Sequence, residues 1–174
     1  MELLEGLLTR RSVRKYEDKP IPKDVLEQII TAGEFAPSAH NTQPWEFLVI
    51  QDKDVLKHFR HMQRSALFAE NAAAVILVCG REDISFHREK EGWSYIDIDC
   101  SAATENILLA AHALGLGACW CGASPMSGPI ASLKEFFSLP ENVKPFSIVV
   151  LGYPAETPKQ PERHNPERVH WEKW

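Results

Sequence analysis

Residues 106–123 read NILLAAHALGLGACWCGA, and this stretch carries the clearest signal of the fold. Its first half continues an apolar pattern at helical spacing that begins near Asp99 or Ser101 and ends at Leu114, before a glycine. Because the apolar residues cover more than one face, we expect a largely buried helix. The second half contains a short apolar run, residues 118–121, which indicates a strand.

Helical and strand patterns alternate along the rest of the chain. Helical patterns occupy residues 2–9, 23–34, 55–64 and 130–137, and strand patterns occupy residues 45–50, 74–79 and 146–151. The almost continuous apolar run at 74–79 is typical of a central strand. Residues 81–93 are charged and without a pattern, so we expect a loop or an irregular helix there. The alternation predicts an α/β-like or α+β class around one sheet, in a single domain spanning residues 1–174.

Charge and hydropathy exclude several classes of protein. The chain of 174 residues has a net charge of −5, and its basic residues do not recur along it. We therefore expect no nucleic-acid binding. No apolar run approaches the roughly 20 residues that span a bilayer, so no membrane insertion is expected. The N-terminus places an acid before its apolar residues and its arginines after them, an order opposite to that of a secretory signal.

The cysteines indicate a reduced, cytoplasmic protein. Cys79, Cys100, Cys119 and Cys121 match no zinc-site spacing, so no metal site is expected. The last two form a C-x-C, which is too close for an ordinary structural disulfide. We therefore expect reduced, buried thiols that act as small packing residues.

Three arginines and a hydroxyl are concentrated in the segment LTRRSVR near the N-terminus. In an extended conformation, Arg10, Ser12 and Arg14 point to one side, while Arg11 and Val13 point to the other. Two guanidinium groups and a hydroxyl on one face suit a phosphate. The alternative is a solvated basic patch paired with nearby carboxylates, and this segment alone does not decide between the two.

A polar loop, PSAHNTQPW at residues 37–45, lies between a predicted helix and a strand. Its hydroxyl and amide side chains are typical of residues that satisfy the backbone of a turn. Amides beside a tryptophan also suit a flat heteroaromatic ligand with donors and acceptors around its rim. His40 alone is more typical of a surface residue than of a catalyst.

The C-terminal residues 152–174 are predicted to form an extended arm. Four prolines within thirteen residues oppose both helix and strand. Val169, Trp171 and Trp174 nevertheless require a surface on which to bury their area. The arm is therefore expected to dock on its own subunit or on a neighbour, and we favour a neighbour.

Four segments in this order, RRSVRKY, PSAHNTQPWEFLVI, NILLAAHALGLGACWCGA and VVLGYPAETP, together resemble the nitroreductase family of FMN-dependent oxidoreductases. The resemblance extends from about residue 3 to residue 171. It implies an α+β fold with a central, mostly antiparallel sheet flanked by helices. It also implies a homodimer with one FMN at each of two interfacial sites and with the C-terminal arm exchanged between subunits.

The same resemblance implies an activity. NADH or NADPH would pass a hydride to flavin N5, and a nitroaromatic, quinone or similar oxidised acceptor would then be reduced in a ping-pong cycle. The cofactor carries this chemistry, so no catalytic side chain is expected. Two alternatives remain open. One is a same-fold enzyme that fragments its flavin or removes a halogen, and the other is a non-catalytic FMN-binding or regulatory protein.

The family motifs, transferred to this sequence, imply a set of FMN contacts. Arg10 and Ser12 would hold the phosphate, and Arg11 belongs to the same motif. Arg14 would lie near N1 and O2 of the ring, where a cation stabilises the reduced flavin more than the oxidised one. The other contacts would come from a second subunit's loop, from the segment near N5 and from the arm: Pro37, Ser38, Ala39, Asn41, Gln43, Trp120, Cys121, Gly122 and Arg163.

One departure from the family pattern affects the phosphate and the ring. Larger members carry an asparagine and a lysine before the second strand, whereas residues 67–73 here read LFAENAA and contain no lysine. We therefore expect the phosphate to depend more strongly on Arg10, Ser12 and Arg163. Cys121 is expected to be a packing residue in place of the aliphatic side chain that similar short members often have.

Overall fold

An antiparallel four-stranded sheet forms the centre of the computed structural model, which describes residues 2–88 and 92–174. Its strands are β1 (Trp45–Ile50), β2 (Ala74–Arg81), β5 (Gly117–Gly122) and β6 (Val143–Gly152). A separate hairpin contains β3 (His87–Arg88) and β4 (Trp93–Ser94). The order in the sheet is β1-β2-β6-β5, so the most continuously apolar strands occupy its centre. The predicted α+β class and antiparallel sheet are confirmed.

Five α-helices surround the sheet in the described part of the chain. They are α1 (Leu3–Thr9), α2 (Lys23–Glu34), α3 (Lys53–Met62), α4 (Ile96–Ala113) and α5 (Ser127–Phe137). Short 3-10 turns occur at Ala39–Asn41, Arg64–Asn71 and Pro166–Arg168. Helix α3 begins where it does because the Asp52 carboxylate accepts hydrogen bonds from the amides of Asp54 and Val55.

The sheet is buried on both faces because successive residues of its central strands point in opposite directions. Ile76 and Val78 of β2 pack in the core that contains α2 and α4. Val75 and Leu77, from the same strand, pack in the second core, which contains α3, α5 and the turn at Arg64–Asn71. The two cores leave β5 as an edge strand with one side free to pair with another segment.

Two segments differ from the sequence-based expectation. Helix α4 begins at Ile96 rather than near Asp99 or Ser101, because the buried Ile96 starts the apolar face and the two aspartates of the first turn interrupted the pattern. Residues 81–93 were expected to be a loop or an irregular helix. Arg81 instead ends β2, and the two-residue strands β3 and β4 then pair. Strands of two residues are too short to show an alternating pattern, and residues 89–91 lie outside the described part.

Helix α1 has the predicted apolar face, but that face is not covered within the described residues of the chain. Leu3, Leu4 and Leu8 are 72%, 73% and 68% exposed, and only Gly6 of this helix is buried. Trp171 and Trp174 in the C-terminal arm are similarly exposed. Two separated apolar segments on one chain therefore lack a partner.

Candidate functional site

The basic segment runs along the free edge of β5. Ser12 forms a parallel bridge with Ala118, and the Val13 amide donates a hydrogen bond of 3.0 Å to the Ala118 carbonyl. Because the segment is extended here, the side chains of Ser12 and Arg14 lie near Cys119, while Arg11 and Val13 line a different cavity. The predicted alternation therefore holds from residue 11 onward.

Gly117 allows this close approach. A Cβ atom at Gly117 would lie 2.7 Å from the Cβ of Val13, so Gly117→Ala must push the basic segment away from β5. We expect a loss of about 1–3 kcal/mol in the free energy of unfolding, measured by urea denaturation. Gly128→Ala is the control, because a Cβ there meets nothing within 4 Å and should leave stability unchanged or slightly raised. Equal stability of the two variants would contradict the packing described.

Arg10 departs from the predicted face. It is the C-cap residue of α1, at the junction between this helix and the extended segment. Its Nε donates to a carboxylate oxygen of Glu105 at 3.1 Å, and it lines a cavity of about 640 Å³ together with Arg11, His112 and Lys159. Arg10 and Arg14 therefore lie at different cavities within one chain, contrary to the expectation of a shared face.

The cavity of about 640 Å³ that Arg10 lines is electropositive. Arg11 donates to the Arg10 carbonyl, while its buried Nε has no partner among the described residues. Burial and the charges of Arg10 and Arg11 hold the pKa of His112 below its ordinary value. His112 Nε2 lies 2.8 Å from the Thr9 hydroxyl. A neutral histidine and an orphaned guanidinium N–H at one cavity indicate a wall suited to an anionic group.

A second cavity, of about 500 Å³, opens where Arg14 meets the end of β5. Its volume lies within the range of small-molecule sites. Two cations, two thiols, a hydroxyl and apolar side chains line it: Arg14, Arg64, Ser65, Leu67, Phe68, Cys119, Trp120 and Cys121. The predicted contacts Arg14, Trp120 and Cys121 are therefore brought together.

Arg64 and Ser65 were missed by the sequence reasoning. Their segment follows α3 and showed no distinctive pattern, and residues 55–64 were assigned to a single helix. The structure ends α3 at Met62 and turns the chain so that Arg64 lines the same cavity as Arg14. A cation directly after the end of an amphipathic helix was the signal that could have indicated this residue.

Two hydrogen bonds fix the position of the backbone just after Trp120. The buried Gln63 side chain donates its amide hydrogen to the Gly122 carbonyl, and Ala123 N–H donates to the Phe146 carbonyl at 2.9 Å. A Cβ at Gly122 would meet only the Ser124 carbonyl oxygen, at 3.6 Å. The space over Gly122 is thus open, as a flat ligand lying against this backbone requires.

The loop at residues 37–43 is built from local hydrogen bonds. The Gln43 amide donates to the Ser38 hydroxyl at 2.9 Å, and the Gln43 side chain donates to Asn41 Oδ1 at 3.1 Å. His40, Asn41 and Gln43 all have positive φ angles, of 52°, 56° and 49°. Non-glycine residues in this region are strained by about 1–3 kcal/mol each, and such strain concentrates at functional sites.

Helix α4 anchors this loop. The Ala39 amide donates to Asp99 Oδ1 at 3.0 Å, while burial raises the pKa of Asp99 above its ordinary value. Asp99 Oδ2 and the Thr42 hydroxyl are buried without a partner among the described residues. Buried polar atoms normally have hydrogen-bond partners. These two atoms therefore indicate that partners outside the described residues complete the surroundings of the strained loop.

One chain does not assemble all of the predicted contacts. Ala39 and His40 line a separate cavity with Phe86 and Tyr95, and the His40 ring lies 4.1 Å from that of Phe86. Arg163 is exposed and makes no ion pair or hydrogen bond within residues 2–88 and 92–174. Loop 37–43 therefore lies at a different cavity from the basic segment, and Arg163 is bonded to neither of them among the described residues.

Two classes of feature are absent from the described residues. Among them, no group of three or more histidine, cysteine or acidic side chains is arranged to hold a metal ion. None of the helices in the described ranges has the length and hydropathy needed to cross a bilayer.

Comparison with known proteins relates this arrangement to a family. The family model described as the Nitroreductase family matches residues 7–84 and 61–153. A relative from Methanothermobacter thermautotrophicus, provisionally named an NADH dehydrogenase/NAD(P)H nitroreductase, is 40% identical over 174 residues, which is 100% of this chain and 88% of that protein.

Solved structures agree with this match. An FMN-dependent nitroreductase from Clostridium difficile superposes with a TM-score of 0.86 at 27% identity, covering 98% of this chain and 99% of that one. A provisionally named nitroreductase from Desulfovibrio desulfuricans, solved in complex with FMN, superposes with a TM-score of 0.82 at 30% identity, covering 100% and 98%. The family model, the sequence relative and the superposed structures thus agree: the chain belongs to the nitroreductase family.

Proposed function

We propose that this chain is an FMN-dependent oxidoreductase that takes reducing equivalents from NADH or NADPH and reduces nitroaromatics, quinones or similar oxidised small molecules. The observation that carries the proposal is the cavity lined by Arg14, Arg64 and the β5 residues Cys119, Trp120 and Cys121. Family membership and the FMN named in the relatives' descriptions support it. When bound, FMN supplies reversible hydride acceptance at N5.

The residues at this cavity fit an isoalloxazine ring. The carbonyl oxygens and N1 of its pyrimidine edge accept hydrogen bonds, and the guanidinium of Arg14 offers donors in a planar fork. Arg64 provides a second cation in the same cavity, although residues 67–73 contain no lysine. Positive charge here stabilises the negative charge that accumulates on reduction.

A second copy of the chain completes the site in this proposal. Loop 37–43 lies at a separate cavity of its own subunit, so it can flank the ring only from another subunit. The uncovered leucines of α1 and the exposed tryptophans of the arm provide apolar surface for such a dimer. Among the described residues, the last hydrogen bond between the arm and the rest of its own subunit is the one that the Gln160 side chain donates to the Leu8 carbonyl, at 3.2 Å. Beyond that residue we propose exchange with the neighbour.

Removing Arg10 or Arg163 should weaken FMN retention. Each guanidinium is proposed to contact the phosphate, and a hydrogen bond to a charged group contributes about 1.5–3 kcal/mol. We expect Arg10→Ala and Arg163→Ala each to raise the dissociation constant about 10–100-fold, measured by quenching of flavin fluorescence. Arg60→Ala is the control, because Arg60 pairs with Glu70 on the surface of another element. An unchanged constant for Arg10→Ala would remove it from the phosphate site.

Anaerobic mixing tests the function itself. The protein is loaded with FMN and mixed with NADH or NADPH in the absence of oxygen, and a quinone is then added. We expect the flavin absorbance to bleach and then to recover. A flavin that dithionite reduces, but that neither nicotinamide reduces, would contradict the proposal and favour the non-catalytic alternative or another electron donor.

A further inference from the structure

The two thiols of the C-x-C sequence lie together at the wall of the Arg14 cavity. Residues two apart on a strand point to the same face, so the side chains of Cys119 and Cys121 both leave β5 on one side. Both are buried, and both line the cavity. The packing role expected from the sequence does not explain why two thiols meet there.

Their surroundings distinguish the two sulfur atoms. A hydrogen bond from Cys121, the charge of Arg14 and a hydrogen bond from Ser12 together hold the pKa of Cys119 below its ordinary value, against the opposing effect of burial. Cys121 has a raised pKa because its hydrogen bond to Cys119 and its burial favour the thiol. Its sulfur also lies 3.1 Å from the Ser65 carbonyl. A thiol with a lowered pKa and a second thiol on the same strand, at one cavity, are the arrangement from which a disulfide can form.

The other ionisable groups around Cys119 and Cys121 do not reverse the difference in pKa between the two thiols. Burial raises the pKa of Tyr16, so its phenol stays neutral and donates to the Val13 carbonyl at 2.6 Å. Glu156 accepts a hydrogen bond of 2.8 Å from the Arg14 amide, and the Arg14 guanidinium still faces the cavity. Arg64 adds a second positive charge to the lining of the same cavity.

The remaining two cysteines provide a contrast within the same chain. Burial raises the pKa of Cys79 to about 12 and also raises that of Cys100. At neither cysteine does a nearby cation or hydroxyl outweigh the effect of burial on the pKa. The two lie close together, since Cys100 Sγ is 3.7 Å from the Cys79 carbonyl. They are therefore matched controls for proximity without thiolate stabilisation.

We propose that Cys119 and Cys121 form a redox-active dithiol that exchanges two electrons with FMN in the adjoining cavity. In the oxidising direction, an S–S bond forms between the Cys119 thiolate and the Cys121 sulfur, the S–H bond of Cys121 breaks, and two electrons and that one proton pass to oxidised FMN, which becomes the reduced anion. In the reverse direction, reduced FMN returns them and the bond breaks. The electron partner rests on the proposed function, whereas the dithiol itself does not.

The strand favours the dithiol as the resting state. Alternate Cα atoms of a strand are about 6.6 Å apart, close to the upper end of the range that disulfides span, whereas the Cβ atoms of a disulfide lie only about 3.5–4.5 Å apart. The edge strand β5 must therefore bend for the bridge to close. A bridge here would be strained and readily reduced, which suits an electron store rather than a structural link. With FMN, each site would hold four electrons in place of two.

Thiol counting tests the dithiol without reference to activity. Native protein is treated with the thiol oxidant diamide, denatured and alkylated with N-ethylmaleimide, and the adducts are counted by intact mass. The four free cysteines should give four adducts before oxidation and two after it. Cys119→Ser and Cys121→Ser should give three adducts before and after, whereas Cys79→Ala should fall from three to one. Four adducts in the oxidised wild type, or no loss in Cys79→Ala, would overturn the proposal.

A reductive titration tests the coupling to FMN. The FMN-loaded, diamide-oxidised protein is titrated anaerobically with dithionite, and two equivalents per flavin are expected, against one in Cys121→Ser. One equivalent in the wild type would overturn the exchange with FMN. Loss of two adducts in a protein that binds no FMN would refute the proposed function while leaving the dithiol supported.

Discussion

Replacing Arg14 with alanine is expected to lower the reduction potential of bound FMN. Reduction leaves negative charge on the ring, and the Arg14 guanidinium lies at the cavity proposed for that edge. One charge pair about 5 Å apart, at an effective dielectric constant of about 20, interacts by about 3 kcal/mol, which corresponds to about 70 mV for a two-electron couple. Arg14 is exposed, so solvent screening reduces this value, and we expect a decrease of about 20–60 mV.

The measurement is a spectroscopic redox titration of the FMN-loaded variant against a reference dye. Arg14→Lys is the matched control, because it retains the charge and should recover most of the potential. A potential equal to that of the wild type in Arg14→Ala would show that this cation does not face the flavin. Potentials lowered equally by alanine and lysine would assign the effect to packing rather than to charge.

Phe59→Ala should produce a large loss of stability. Phe59 is fully buried between α3 and the sheet, with its ring centroid 5.8 Å from that of Phe137. Truncating a buried phenylalanine costs about 3–5 kcal/mol, because apolar contacts are lost and a cavity remains. The same core supports the turn that presents Arg64 and Ser65. We therefore expect the loss of stability to be accompanied by weaker FMN binding.

Urea denaturation of FMN-free protein measures the first effect without the contribution of the ligand. Phe35→Ala is the control, because Phe35 is 83% exposed and should change the free energy of unfolding by no more than about 0.5 kcal/mol. Comparable losses in the two variants would contradict the burial assigned to Phe59.

The fold was predictable where the patterns were long. The bounds of α2 were predicted to the residue, since Pro22 precedes its first turn and its apolar spacing is regular. Strand β1 was also predicted to the residue. The hairpin β3–β4 was missed because two-residue strands carry no alternation, and the start of α4 was misplaced because aspartates occupy its first turn. Long periodic segments therefore gave reliable boundaries, while short or polar ones did not.

The site was predictable only in part, for a geometric reason. The alternation of side chains along an extended segment correctly placed Ser12 and Arg14 on the same side. It could not show that Arg10 caps a helix and pairs with Glu105. Arg64 enters the cavity through a turn whose course depends on packing distant in sequence. The same period of two, applied to the C-x-C, would have placed both thiols on one face.

Sedimentation velocity, recorded at both a flavin wavelength and a protein wavelength, tests the central claim most directly. That claim is that two copies of this chain enclose FMN between the basic segment of one and the loop 37–43 of the other. The account predicts that flavin absorbance sediments with a particle of twice the mass of one chain, at one FMN per chain. Flavin sedimenting with a single chain, or a dimer that retains no flavin after loading with FMN, would contradict it.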